Sequence, residues 1–309
     1  MDLFGKITEL ARLNTRYRKS LAMAATAGLM LACAYPRLSV SGLAWVVPGI
    51  WLLCGMGHSG RERFRIGLVG GLCFYLPALQ WIRYIPYPVA PYIGWIALAA
   101  YLSLYPAFWI WLCWRLFPAR MEGGGVEPVS PRLIEHFFSV SWAARAGWLL
   151  SCGVIWVGTE MLIGRALSGF PFLFLGVSQQ KITPLIQVAS ITGVCGVSFL
   201  IVWFSVCLAA ACLLLIHKPA RHWLWAREVG LPGLAVAMAL VFGGLRVGES
   251  NSARPSVVVD ATNAVGILKV RLALIQPSIP QTVKWDDDAN LKALQAVYSG
   301  ERSWSGFKE

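Results

Sequence analysis

Charge is what this chain has least of. Only 14% of its 309 residues are Asp, Glu, Lys or Arg, against about 25% in an ordinary soluble domain. Acid is scarcer still, with 15 Asp and Glu against 27 Lys and Arg. So little ionised surface, in a chain that is 57% hydrophobic, excludes a conventional water-soluble globule. Histidine is nearly absent: His58, His136, His217 and His222 lie in basic stretches without metal-ligand spacing, so no metal or cofactor is expected. The eight cysteines contain no Cys-x-x-Cys pair and sit in or beside apolar runs. That excludes a zinc site and a secreted disulfide framework. It leaves the thiols as small packing residues, because a reactive thiolate needs a polar, electropositive pocket.

What is present is a series of apolar runs, many of the length of about 17 residues or more that a bilayer crossing requires. They are placed at Ser20–Ala34, Gly42–Met56, Ile66–Ile82, Tyr92–Trp114, Ala146–Ile163, the second part of Leu185–Ile216, and Val229–Leu245. The second is short, and Gly193 and Gly196 are expected to divide the sixth into a shallow entering piece and a span. Residues 1–19 read as a basic amphipathic lead-in, and Ala32-Cys33-Ala34 imitates a signal-peptide cleavage site. A retained first span fits better, because six more apolar segments come after it. Arg83–Pro91 reads as a rigid, proline-rich interfacial loop, and residues 115–145 as a flexible loop with Gly123–Gly125. The fifteen Trp and nine Tyr suit two membrane interfaces.

The net charge of +12 is not a nucleic-acid signature, since Lys and Arg cluster between the apolar runs. Fifteen fall on one side of a seven-span arrangement, in the stretches around Arg12, Arg63, Arg120 and Arg221. The short loops of the other side hold four: Arg37, Arg83, Arg165 and Lys181. The positive-inside rule then puts the N-terminus in the cytoplasm and everything after Leu245 outside. Glu160, near the end of the fifth run, is a costly residue in a membrane; pairing with Arg165 is its plainest explanation.

After a polar linker, 249–269, the character changes. Val270–Gln276 alternates with a period of two and is rich in branched residues, as a strand is. Pro277 ends it, Pro280 stiffens the adjoining loop, and Asp286–Asp288 can cap a helix through Leu291, Leu294 and Val297. The order strand, rigid loop, Trp285, helix fits the opening of an α/β domain over 270–309.

This stretch, Gln276, Ile279-Pro280-Gln281 and Lys284-Trp285-Asp286, resembles the start of the extracytoplasmic nitrilase-like domain of the apolipoprotein N-acyltransferase family. Pro277-Ser278 departs from the small pair more usual there. In the apolar part, Gln80-Trp81, Ala99–Tyr105 and Ser168-Gly169-Phe170-Pro171 with Gly176 and Ser178-Gln179 also resemble family segments. Val177 replaces a usual Tyr. The resemblance runs from about residue 30 to 298. It implies an α-helical polytopic membrane protein of about seven transmembrane helices over 1–248. The first strand and helix of an incomplete α/β nitrilase-like domain would come next.

The resemblance also implies a bacterial inner-membrane acyltransferase of lipoprotein biosynthesis. The family moves an acyl chain from a phospholipid donor to the N-terminal amine of a diacylglyceryl-cysteine lipoprotein acceptor, through a thioester on a Cys served by a Glu and a Lys. No residue up to Glu309 occupies those three positions, so no catalytic residue is expected within the chain, and the chain alone is expected to be inactive. A truncated gene product, a frameshifted reading, or one half of a split enzyme completed by a separate polypeptide would explain this. On the substrate side, the resemblance places Trp285 near the acyl-chain or lipoprotein entrance and singles out the turn Gly169, Phe170 and Pro171 as a lipid-facing floor beneath the soluble domain. Two other readings stay open. One is a non-catalytic membrane scaffold. The other is a transporter, disfavoured because no internal repeat is visible.

Overall fold

The computed structural model describes residues 3–36, 38–119, 131–217 and 224–252. The strand Val270–Gln276, Trp285, the helix after it and most of the linker lie outside the described residues. The described residues divide into a helical bundle, up to Leu79 and from Ile96 on, and the segment Gln80–Trp95.

All regular structure among the described residues is helical. The long elements are α1 (Leu3–Ala32), α3 (Gly60–Ala78), α4 (Ala90–Arg115), α6 (Trp142–Ile163), α8 (Ala189–His217) and α9 (Trp225–Ser252). The short ones are α2 (Val47–Cys54), α5 (Pro131–Ser139) and α7 (Thr183–Ile186). Among the described residues, five stretches are long and apolar enough to cross a membrane: Gly60–Tyr84, Ala90–Arg115, Trp142–Ile163, Ala189–Ile216 and Trp225–Glu249.

Several boundaries differ from those expected of the sequence. The basic lead-in and the first apolar run are one continuous helix, α1. Gly42–Met56 becomes a 3-10 turn, Ser41–Trp45, and then α2. At about 1.5 Å per residue, the fourteen residues Ser41–Cys54 fall short of a bilayer core of about 30 Å. α3 starts earlier than expected because Ser59 and Glu62 form a reciprocal capping box that opens the helix at Gly60. This brings Arg61, Arg63 and Arg65 onto the helix. Residues 115–145 are not all loop: α5 lies within them and buries Ile134 and Phe137, the latter against Trp114 and Trp148. In α8 the break falls at Gly193 alone, where φ is +67°, a backbone state that favours glycine. Gly196 stays helical. α9 runs to Ser252, into the expected linker.

Cross-helix bonds fix the directions. Trp148 Nε1 donates to Cys113 O at 2.7 Å and Trp109 Nε1 to Cys152 O at 2.8 Å, so α4 and α6 are antiparallel. Arg16 donates to Met56 O at 2.9 Å, while Tyr35, just past α1, donates to Leu173 O at 3.0 Å. The first end of the bundle therefore holds the start of α1, residues 55–65, and the α4–α6 connection. The second end holds Tyr35, Ser41 and the loop after α6. Burial of Arg145 and Glu228 as an ion pair ties the starts of α6 and α9 at the first end. His58 sits there too, at 2.9 Å from Ser20 Oγ. Burial, with Arg16 close by, pushes its imidazole down to about 4, so it is neutral near pH 7.

The aromatic residues are not only interfacial. Trp51, Trp109, Trp114 and Trp148 are buried in the bundle, and the Trp156 ring lies 5.1 Å from Trp109 and 6.4 Å from Trp51. In the other body, Arg83 lies over the Trp95 ring at 4.9 Å, and the expected loop is already helical from Ala90.

α1 and α3 meet through glycine, as close-packed membrane helices commonly do. A Cβ on Gly28 would lie 2.1 Å from Gly70 O, and backbone cannot move aside cheaply. Gly28→Leu is expected to destabilise the protein in detergent by at least about 1–3 kcal/mol. Gly147→Ala, where a Cβ meets nothing within 4 Å, should leave the melting temperature unchanged or slightly raised. Equal melting curves for the two variants would refute the close α1–α3 contact.

Candidate functional site

The loop after α6 is the most elaborately held irregular segment of the bundle. Gly164 N–H donates to Glu160 O at 2.9 Å and closes the helix. Leu167, Ser168 and Gly169 then take φ values of +50°, +75° and +79°. Two of the three are not glycine, so the turn is strained and must be held by its surroundings. A Cβ on Gly169 would lie 2.2 Å from Gly164 O, and Phe170 N–H reaches back to Ile163 O at 2.8 Å. The turn leaves Leu167 82% exposed, with Phe172 and Leu162 exposed beside it. An apolar group of that kind suits contact with lipid. Gly169, Phe170 and Pro171 thus lie together in one turn.

Four polar side chains fasten residues 173–179, the far limb of the loop, to the bundle. Glu160, 3% exposed, accepts on Oε1 from Leu175 N–H at 2.7 Å and from Trp156 Nε1 at 2.9 Å. Its Oε2 meets no donor at hydrogen-bonding geometry among the described residues, although the Ser198 hydroxyl stands beside the carboxylate. Tyr35 Oη donates to Leu173 O and Phe174 O at 3.0 and 3.2 Å. Ser198 Oγ accepts from Gly176 N–H at 2.8 Å. Gln179, wholly buried, accepts from Trp45 Nε1 at 3.0 Å and donates to Ser41 O at 3.1 Å and to Ser178 Oγ at 2.8 Å. A tethered loop that would otherwise leave several buried amide groups unsatisfied is thereby bonded at nearly every turn.

The expected pairing of Glu160 with Arg165 does not occur. Arg165 is exposed and donates to Met161 O at 3.3 Å, while the carboxylate turns inward to the loop backbone. The reason is geometric. Residue 165 lies beyond the end of α6, whereas Leu175 N–H folds back over the face that carries Glu160. Sequence reasoning missed Tyr35, Trp45 and Ser198 in this site, because their partners lie 22 to 139 positions away.

Beneath the loop is a cavity of about 20 Å³. Glu160, Tyr35, Tyr75 and Tyr105 line it together with apolar rings. A water molecule needs roughly 10–15 Å³ by this measure, so the space suits water rather than an acyl chain. The arrangement anchors a loop. No group of three or more His, Cys, Asp or Glu that could bind a metal occurs among the described residues. Trp285 lies outside them.

Removing the carboxylate should loosen the loop. Glu160→Ala leaves Leu175 N–H and the Trp156 indole without their acceptor and is expected to cost about 2–3 kcal/mol. It should also expose the 164–174 segment to protease. Glu160→Gln keeps an acceptor and should cost less, and Arg165→Ala should change stability by less than about 0.5 kcal/mol. Denaturation in detergent, with limited proteolysis, checks this. An Arg165→Ala effect as large as that of Glu160→Ala would restore the ion-pair explanation.

A family model for the N-terminal domain of apolipoprotein N-acyltransferase matches residues 27–207. The apolipoprotein N-acyltransferase of Geobacter metallireducens is 32% identical over 278 residues, covering 87% of this chain and 45% of that protein. Those of Vibrio cholerae and Bradyrhizobium diazoefficiens are each 26% identical, over 88% and 96% of this chain and 46% and 50% of theirs. The chain spans about half the length of the curated relatives it matches. With the match covering more than half of its residues, and the tethered loop falling inside that match, the chain belongs to the apolipoprotein N-acyltransferase N-terminal domain family.

Proposed function

We propose that this chain is the membrane part, with the opening of the nitrilase-like domain, of an enzyme that N-acylates lipoproteins. The acyl chain passes from a phospholipid to the N-terminal amine of a diacylglyceryl-cysteine lipoprotein. The observation that carries the reading is the strained, lipid-suited turn at Gly169, fastened by Tyr35, Glu160 and Gln179 within the matched region. It lies at the same end as the C-terminal part of α9, where Gly243 packs on Pro184. In this reading, which rests on the family resemblance, Gly169, Phe170 and Pro171 form a lipid-facing floor and Trp285 lies at the substrate entrance.

The Glu, Lys and Cys of the family's chemistry come from the rest of that domain, on this or a separate polypeptide. Residues 1–309 by themselves transfer no acyl group, because their thiols lie in or beside apolar helices. Domain limits at 1–248, 249–269 and 270–309 go with this reading. So does a seven-span topology in the bacterial inner membrane, in which α1 and Ser41–Cys54, shorter than a bilayer core but running from the second end of the bundle to the first, join the five long helices. The basic stretches at the first end of the bundle face the cytoplasm, and the C-terminus faces outside.

Topology is tested with reporters. A fusion after Gly248 should be active only outside the cytoplasm and one after Arg227 only inside; the same side for both would end the seven-span arrangement. Function is tested with Trp285→Ala in a polypeptide carrying this sequence joined to a complete nitrilase-like domain. Acyl transfer to a lipoprotein acceptor should fall by about tenfold or more, as loss of a large aromatic contact allows, with membrane insertion unchanged. Unchanged transfer would make Trp285 a packing residue. No transfer in the parent polypeptide would remove the acyltransferase reading itself.

A further inference from the structure

The three arginines at the start of α3 do different things. Arg63 is buried, donates from Nε to Gly55 O at 3.1 Å, and lies over the Trp114 ring at 5.6 Å. Arg61 and Arg65 point elsewhere. Four residues apart, they share one helix face. They line an open groove of about 500 Å³ together with Gly60, Phe64, Phe108 and Trp111. That volume lies within the roughly 300–1,000 Å³ typical of ligand sites. The opposite wall belongs to α4, where Phe108 and Trp111 are three apart and their rings lie 5.6 Å from each other. Gly60 has no side chain, and the Trp111 indole edge lies against it: a Cβ there would be 3.3 Å from Nε1.

Among the described residues, Arg61, Arg65 and the Trp111 N–H have no hydrogen-bond or ion-pair partner, and both arginines are exposed. Glu62, the acid between them in sequence, is taken. It accepts from Ser59 N–H and Ser59 Oγ at 2.9 Å each and faces His58 at 3.5 Å. Arg18, Lys19 and Arg115 are exposed at the same end of the bundle. The groove therefore offers two guanidinium groups without a partner among the described residues and an indole donor above a floor of aromatic rings, between the start of α3 and the end of α4, two helices long and apolar enough to cross a membrane.

A free anion would meet the cations and leave the rings uncovered. A zwitterionic lipid brings its own cation against the arginines. An amphiphile with net negative charge at its head and hydrocarbon below satisfies both parts, and basic pockets between membrane helices are suited to such heads. We propose that this groove binds the headgroup of an anionic phospholipid, with Arg61, Arg65 and the Trp111 N–H on its phosphate and Phe64 and Phe108 against its chains. This lipid is distinct from the acyl donor, because the groove lies at the end of the bundle away from the Gly169 turn. Its effect is to hold α3 on α4, since a ligand that binds only the folded state stabilises it.

The test uses the full chain, purified in a neutral detergent and supplied in turn with phosphatidylglycerol, phosphatidylcholine of the same acyl chains, or inorganic phosphate. Native mass spectrometry reads retained lipid and a thermal melt reads stability. Phosphatidylglycerol should be retained and should raise the melting temperature; the other two should not. Arg61→Gln with Arg65→Gln should cut retention by about tenfold or more, the size expected for losing charge-assisted bonds. Arg18→Gln with Arg115→Gln, at the same end but outside the groove, should leave retention intact. If the groove double variant fails to fold, Trp111→Phe keeps a ring and removes one donor, and should weaken retention several-fold. Equal retention of phosphatidylcholine, an equal shift from phosphate alone, or a greater loss in the Arg18/Arg115 pair than in the groove variants would each overturn the proposal.

Discussion

Indole N–H groups bonded to backbone carbonyls of neighbouring helices are the interaction on which this bundle depends. Trp51 donates to Ala24 O, Trp114 to Leu52 O, Trp109 to Cys152 O and Trp148 to Cys113 O. A helical carbonyl already accepts one bond along its own helix, but its second lone pair is free to take another. Each indole thus buries a large ring and satisfies its one polar atom without needing a second side chain. In an apolar solvent an unmade bond is costly, so the four contacts set which helices are neighbours and at what height. Glycine lets the backbones come close enough for this: a Cβ on Gly70 would lie 2.7 Å from Trp51 Nε1.

The two ends of the bundle solve different problems from that common middle. At the first end, charge is dense and is sorted by burial. Arg63 and Arg145 are inside and bonded, Arg145 to Glu228, while Arg61 and Arg65 stand in the groove with no partner among the described residues. The same residue type is structural on one helix face and available on another, and a step of two residues along α3 makes the difference. At the second end, charge is sparse and one carboxylate, Glu160, is used as an acceptor for backbone. The strained turn at Leu167–Gly169 persists because Glu160, Tyr35, Ser198 and Gln179 fix the chain after it. Burying a carboxylate costs several kcal/mol, and the bonds that Glu160 accepts from Leu175 N–H and the Trp156 indole offset part of that cost.

Composition and the spacing of apolar runs were enough to read a polytopic helical membrane protein. The physical reason is that a bilayer imposes one length and one polarity on every crossing. Five runs became long apolar helices close to the expected limits. A turn at Gly169-Phe170-Pro171 was also legible, through a local motif of a few residues, whereas the anchoring bonds of Gln179 were not. The tertiary structure decided the matters that depend on partners far along the chain. Glu160 was assigned to Arg165 by proximity in sequence, yet its partner is Leu175 N–H, which only the folded-back loop supplies. Tryptophan was assigned to the interfaces by composition, yet four indoles are core residues because carbonyls of other helices accept their protons. Local pattern records periodicity and turns; which helices become neighbours, and therefore which polar atoms are satisfied, is settled only when the helices pack.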